Sequence, residues 1–168
     1  MAILPLIISF ASIVVLTGAD QLIKLWAIDN LKGQPSMEFI SIGSHKILDL
    51  TYLENSGAVF GSFSGMRWLL IGVTAGLMGF CVFYMMRHKT EILTLVSMTL
   101  IISGGIGNII DRLFRDGKVV DYFDVKFMKF AVFNFADVCV VIGVILLLIQ
   151  IIFTDFVKKK PAEKVPRR

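Results

Sequence analysis

The sequence predicts an all-α membrane protein: four transmembrane helices with a small extracytoplasmic sheet. Hydrophobic residues fill 56% of the 168 positions and the mean hydropathy is +0.79, too apolar for a soluble domain of this size. Three runs also carry no charged side chain: Trp68 to Met86, Ile92 to Ile110, and Val138 to Thr154. At 1.5 Å per helical residue, about 19 residues reach roughly 28 Å, close to the hydrocarbon thickness of a bilayer.

The first helix runs from Ile3 through Ala19 and continues over Leu22, Ile23 and Trp26 to Ile28. No basic residue precedes it and it extends into Asp20, Gln21 and Lys24, so a retained helix is expected rather than a cleaved signal peptide. Leu16-Thr17-Gly18-Ala19 has the outline of a lipid-attachment site, but Ala19 stands where a cysteine is required. Asp20 and Lys24 lie four apart on one helix face, acid first, the better order for an ion pair. Near the outer end such a pair is expected to snorkel and fix the helix's depth; a bond to another helix is the alternative.

Between Lys32 and Phe63 the composition turns mixed, with Gly33, Pro35, Gly43 and Ser44 as breakers. Lys46 to Glu54 alternates, Leu48, Leu50 and Tyr52 against Asp49 and Thr51, which predicts a half-buried strand. Phe39 to Ile42 is placed to pair with it across Gly43 to His45. In Asn55-Ser56-Gly57-Ala58-Val59-Phe60, which follows, small residues would let a ligand backbone approach and the Asn55 amide would bond it. An ordinary turn explains the same residues locally.

The second helix carries Gly72 and Gly76 at the spacing that favours close helix contact in lipid, and Ser103 and Gly107 repeat it in the third, thinned further by Gly104 and Gly105. Asn108, Asp111 and Arg112 cluster at that helix's outer end and should face the bundle. Asp111 is spaced to pair with Arg115, which leaves Arg112 to clamp a carbonyl or carboxylate.

Val119-Val120-Asp121-Tyr122 and Phe133-Asn134-Phe135-Ala136-Asp137 complete the pattern. Asp137 stands at the mouth of the last apolar run, where an ionisable group is a functional candidate by default. Asn134 and Asp137 are also spaced as a capping box, and Asp121 alone could be a solvated loop acid. Brought together at a membrane surface, the two acids would be the working parts of an aspartyl protease. Asp20, Lys24, Asn55, Asn108, Asp111, Arg112, Asp121, Asn134 and Asp137 all fall at one membrane face, which points to a shared site.

Charge predicts the orientation. The tail Lys158-Lys159-Lys160 with Lys164, Arg167 and Arg168, and the Arg87-His88-Lys89 turn, are expected in the cytoplasm, with both termini there. The loop holding Arg115, Lys118, Lys126 and Lys129 is offset by Asp116, Asp121 and Asp124. The net charge of +4 lies mostly in the tail and suits anionic lipid better than nucleic acid. Cys81 and Cys139 sit inside apolar helices and are expected to pack there. His45 and His88 fall on opposite faces, and no His-Glu-x-x-His occurs, so no metal site is expected. A proton-coupled transporter would need polar groups continuing toward the cytoplasm, which the runs through Val73 to Met86 and Val138 to Leu148 barely supply. A serine protease on Ser103 would leave His88 on the wrong side. A non-catalytic assembly protein would tolerate loss of either acid.

The residues resemble those of the bacterial lipoprotein signal peptidases, the type II signal peptidases, along the whole chain. Five boxes carry the resemblance: Asp20-Gln21-x-x-Lys24; Asn55-x-Gly57-Ala58-Val59-Phe60; Gly104-Gly105-Ile106-Gly107-Asn108-x-x-Asp111-Arg112; Val119-Val120-Asp121; and Phe133-Asn134-x-Ala136-Asp137. Val59 stands where the family more often has alanine, and Tyr122 where it usually has phenylalanine. The resemblance implies four transmembrane helices (about 3–28, 67–87, 91–112 and 134–156) in a single domain spanning 1–168, with an extracytoplasmic β-rich cradle over about 36–63. It also implies a short extracytoplasmic helical loop between the third and fourth helices and a basic tail at 158–168. It implies catalytic Asp121 and Asp137, with Asn55, Gly57, Asn108, Arg112 and Asn134 binding substrate or orienting the acids, and Asp20, Lys24 and Asp111 as structural support. The implied substrate is a diacylglyceryl-modified prolipoprotein cut before its lipidated cysteine, the implied inhibitors are of the globomycin type, and neither metal nor organic cofactor is needed.

Overall fold

The computed structural model describes residues 3–57 and 65–158. The chain runs α1 (Ile3–Leu31), β1 (Met37–Ile42), β2 (His45–Asn55), α2 (Arg67–Arg87), α3 (Ile92–Phe114), β3 (Val119–Val125), α4 (Phe135–Lys158). All four helices are long and apolar enough to cross a membrane. Ala58, Val59 and Phe60 of the second box, and the basic tail from Lys159 onward, lie outside the described residues.

Helix α3 is the hub of the bundle, packed against α1, α2 and α4. Its small residues make this possible. A Cβ on Gly104 would meet the Ala136 carbonyl oxygen at 2.2 Å, one on Gly105 the Met78 sulfur at 2.3 Å, and one on Gly107 the Asp20 Oδ2 at 2.5 Å. Lipid supplies no hydrophobic drive between helices, so close approach of this kind must supply the contact. Cys81 and Cys139 are free and buried within the packing. Large apolar side chains on the outer helix faces, such as Val14, Leu22, Phe80 and Ile152, are exposed and suit a hydrocarbon surround.

Gly72 and Gly76 do not make the contact their spacing predicts. Nothing lies within 4 Å of the Cβ either would carry. Helix α2 instead turns Met78, Cys81 and Met85 inward, because volume on that face fills the groove beside Gly105.

A three-stranded antiparallel sheet in the order β1-β2-β3 caps one end of the bundle. The β1–β2 hairpin turns at Gly43-Ser44, with Ile42 paired to His45 and Gly43 at φ +61°, a conformation glycine adopts without steric cost. Leu50, Val120 and Tyr122 from the sheet pack on Ala27 and Leu31 of α1, so the end of α1 fixes the sheet on the bundle.

The stretch between α3 and α4 differs from the helical loop implied by resemblance. Asp116 (φ +51°) and Gly117 (φ +82°) reverse the chain, and Val119–Val125, rich in β-branched and aromatic residues, joins β2 as the third strand. The chain then doubles back without a helical turn. Phe133 pairs with Phe123, each backbone amide donating to the other's carbonyl at 3.1 and 2.8 Å. That return sets Asn134 beside Asp121 and opens α4.

Candidate active site

The site is built where α1, α3, β3 and the start of α4 meet. Helix α4 begins inside the protein, so the free amides of its first turn need partners. The Asn134 amide N–H donates to Asp137 Oδ2 at 3.1 Å and the Asp137 N–H returns to Asn134 Oδ1 at 3.0 Å, a reciprocal cap. The Phe135 N–H donates to the Tyr122 hydroxyl at 3.1 Å, and the Ala136 N–H to Asp20 Oδ1 at 3.1 Å. The capping account of Asn134 and Asp137 is thus realised, and it leaves Asp137 Oδ1 to accept from Asn108 Nδ2 at 2.8 Å.

Asp121, buried in β3, is held from two sides. Asn134 Nδ2 donates to Oδ1 at 2.6 Å and Asn55 Nδ2 to Oδ2 at 3.0 Å. Asn134 therefore touches both acids, Asp121 through its side chain and Asp137 through its backbone amide and its amide oxygen. Burial pushes the Asp121 carboxyl up to about 7; the nearby Asp137 charge adds to the rise, while the bonds from Asn55 and Asn134 oppose it.

Asp20 and Lys24 are not a snorkelling pair. Both are buried, and Lys24 Nζ lies 2.9 Å from Asp20 Oδ2 and 3.0 Å from Asp111 Oδ2. The ammonium has turned inward because a second carboxylate on α3 faces it. Asp111 also pairs with Arg115 at 3.3 Å and accepts the Val120 N–H at 3.0 Å. Arg112 Nη2 donates to the Gly57 carbonyl at 2.9 Å, and the Gly57 N–H donates to Asn55 Oδ1 at 3.0 Å. The guanidinium thus clamps the chain's own carbonyl, and its buried Nε has no hydrogen-bond partner among the described residues.

All ten residues singled out from the sequence fall in this connected network. Gln21 and Tyr122, present in the motifs but given no role from sequence, join it. Gln21 Nε2 lies within 3.2 Å of Asp20, the Gly107 carbonyl and Asp111; its adjacency to Asp20 was visible, but not that the helix turns both inward. The Tyr122 hydroxyl is the atom that phenylalanine, the residue expected there by resemblance, would lack. Ser103 is bonded to the Leu100 carbonyl, and His88 to Glu91 in the α2–α3 turn, so neither belongs to the site. Among the described residues no three His, Cys, Asp or Glu side chains converge as metal ligands.

Residues 12–153 match the family model of signal peptidase (SPase) II. The chain belongs to the signal peptidase II family. It is 42% identical over 139 residues to the lipoprotein signal peptidase of Streptococcus agalactiae, covering 82% of this chain and 87% of that protein. It is 40% identical over 143 residues to that of Clostridioides difficile, covering 85% and 93%. A bacterial membrane enzyme solved by the in meso method at 2.3 Å superposes with a TM-score of 0.78 at 28% identity, over 95% of this chain and 94% of that one. The protein is accordingly a membrane-spanning peptidase of the signal peptidase II family, and neither a transporter nor a non-catalytic assembly protein is favoured.

Proposed function

We propose that this protein removes the signal peptide from diacylglyceryl-modified prolipoproteins, cutting before the lipidated cysteine, with Asp121 and Asp137 as the catalytic pair. The observation that carries the reading is the single residue Asn134 joined to both acids. Charge balance supports a shared proton. Four carboxylates, Asp20, Asp111, Asp121 and Asp137, share the network with three cations, Lys24, Arg112 and Arg115. With one carboxylate protonated the cluster is neutral, and its buried members, Asp20, Lys24, Asp111, Arg112 and Asp121, favour that balance because uncompensated buried charge is costly.

Asp121, pushed up to about 7, is the acid. Asp137, in the first turn of α4 where the helix dipole favours an anion, is the base. Asp137 takes a proton from a water whose oxygen attacks the scissile carbonyl carbon, while Asp121 gives its proton to the carbonyl oxygen. The tetrahedral diol collapses as Asp137 passes its proton to the leaving nitrogen and Asp121 recovers one from a hydroxyl. Asn55, Gly57, Asn108, Arg112 and Asn134 orient the acids or the substrate backbone, and the substrate's acyl chains lie along the apolar helix faces.

The site faces the outer leaflet of the bacterial cytoplasmic membrane, with both termini in the cytoplasm, following the positive charge of the α2–α3 turn and the tail. Globomycin-type peptides are expected to inhibit. Purified protein in lipid should cleave a diacylglyceryl-modified precursor and leave the same precursor intact when its cysteine is unmodified; equal cleavage of both would refute the substrate assignment.

A further inference from the structure

Two backbone amides in this protein share an arrangement. The Val120 N–H, one residue before Asp121, donates to Asp111 Oδ2 at 3.0 Å. The Ala136 N–H, one residue before Asp137, donates to Asp20 Oδ1 at 3.1 Å. The two accepting carboxylates come from different helices and are joined by one group, the Lys24 ammonium, at 2.9 and 3.0 Å. Its third bond, at 3.1 Å, goes to Asn108 Oδ1, and Asn108 Nδ2 in turn donates to Asp137. With all three ammonium protons directed at acceptors and no exposure to solvent, Lys24 has no freedom to move without releasing one of the strands of this web.

We infer that Lys24 is the positioning residue of the catalytic pair, a single buried cation that sets the spacing of Asp121 and Asp137 by holding, through Asp111 and Asp20, the backbone N–H of the residue before each. The inference rests on the assignment of those two aspartates as catalytic. A depth-fixing lysine needs only to reach the interface; this one lies in the protein interior and is tied to α3 directly and, through Asp20, to the start of α4. Gly107 belongs to the same device, since any side chain there would drive Asp20 away at 2.5 Å.

The charges acting on Lys24 come from Asp20 of α1, Asp111 of α3 and, at longer range, Asp121 of β3; Asp111 is also paired with Arg115, and Arg112 is attracted by Asp137, Asp121 and Asp111. Removing the cation therefore leaves an excess of negative charge and should hold protons on the catalytic pair to higher pH. Neutralising Asp111 does the opposite, while Asn at that position still offers an oxygen to the Val120 N–H.

The test is the pH profile of kcat and KM for cleavage of a diacylglyceryl-modified precursor by full-length Lys24→Met, Lys24→Arg, Asp111→Asn, Asp121→Asn and Asp137→Asn proteins in lipid. For Lys24→Met we expect kcat to fall about 100-fold or more with KM within about threefold, the signature of lost transition-state geometry rather than lost binding. The kcat profile should move to higher pH in Lys24→Met and to lower pH in Asp111→Asn, with Lys24→Arg between wild type and Lys24→Met in rate. Unshifted profiles in both Lys24→Met and Asp111→Asn, or a change confined to KM, would overturn the inference. If Lys24→Met does not fold, Lys24→Arg decides alone, since it keeps the charge and changes the geometry: a lower kcat at unchanged KM supports the inference and a wild-type kcat refutes it. Cleavage surviving in Asp121→Asn or Asp137→Asn would instead remove the assignment of the pair.

Discussion

The Asn134 side-chain nitrogen stands 2.6 Å from Asp121 Oδ1, the shortest of the bonds that tie the two acids into one unit. The same residue caps α4 through its side-chain oxygen on the Asp137 amide, so a helix start and a proposed catalytic pair share one side chain. Asn134→Ala should lower kcat by about 100-fold, of the order seen when one preorganised hydrogen-bond donor is lost. It should also lower stability by about 1 kcal/mol as a lost cap. Steady-state kinetics and thermal unfolding of the purified variant check both.

The buried Asp121 carboxyl gives stability a defined pH dependence. Its folded value, about 7, lies above the ordinary 3.8, so between those values the folded state binds more protons than the unfolded one. Stability at this site is therefore fully present below about pH 4, falls as pH rises, and is lowest above about pH 7. Asp121→Asn removes that loss. The variant's melting temperature should gain on wild type as pH rises from about 4 to 8, at about 2 to 4 °C per kcal/mol for a chain of this size. Parallel melting curves at the two pH values would contradict it.

Much of this was legible in the sequence. The spans were, because hydrocarbon tolerates only apolar, internally bonded segments, and so was the gathering of Asp20 through Asp137 at one end. What spacing cannot give is direction. Asp20 and Lys24 sit four apart whether they face lipid or protein, and only Asp111 on another helix decides it. Gly72 and Gly76 have the same spacing as Ser103 and Gly107, yet the first pair faces open space. Val119 to Val125 is the third strand, which the sequence reading does not assign although its β-branched and aromatic residues suit one; the helical loop expected there comes from family likeness rather than from this chain.

The glycines make a paired prediction. Gly104→Ala forces a methyl against the Ala136 carbonyl at 2.2 Å and should cost about 1–3 kcal/mol as α3 and α4 separate. Gly76→Ala meets nothing and should be neutral or stabilising by up to about 1 kcal/mol through helix propensity. Thermal unfolding in one detergent compares them directly.

Tyr122→Phe deletes the hydroxyl that accepts the Phe135 N–H in a buried place. The unpaired amide should cost about 1–3 kcal/mol, with kcat lowered less than in Asn134→Ala because both acids keep their bonds. Melting temperature and kcat measured on one preparation test the pair of effects.

The most direct measurement is kcat for cleavage of a diacylglyceryl-modified precursor by purified Asp121→Asn and Asp137→Asn proteins whose melting shows them folded. Each substitution keeps the shape of the side chain and one acceptor oxygen, gives up one of the two bonds that each carboxylate accepts, and removes the acid chemistry. Cleavage should fall at least about 1000-fold in both. A folded variant of either kind that still cleaves within about tenfold of wild type would contradict the two-aspartate mechanism.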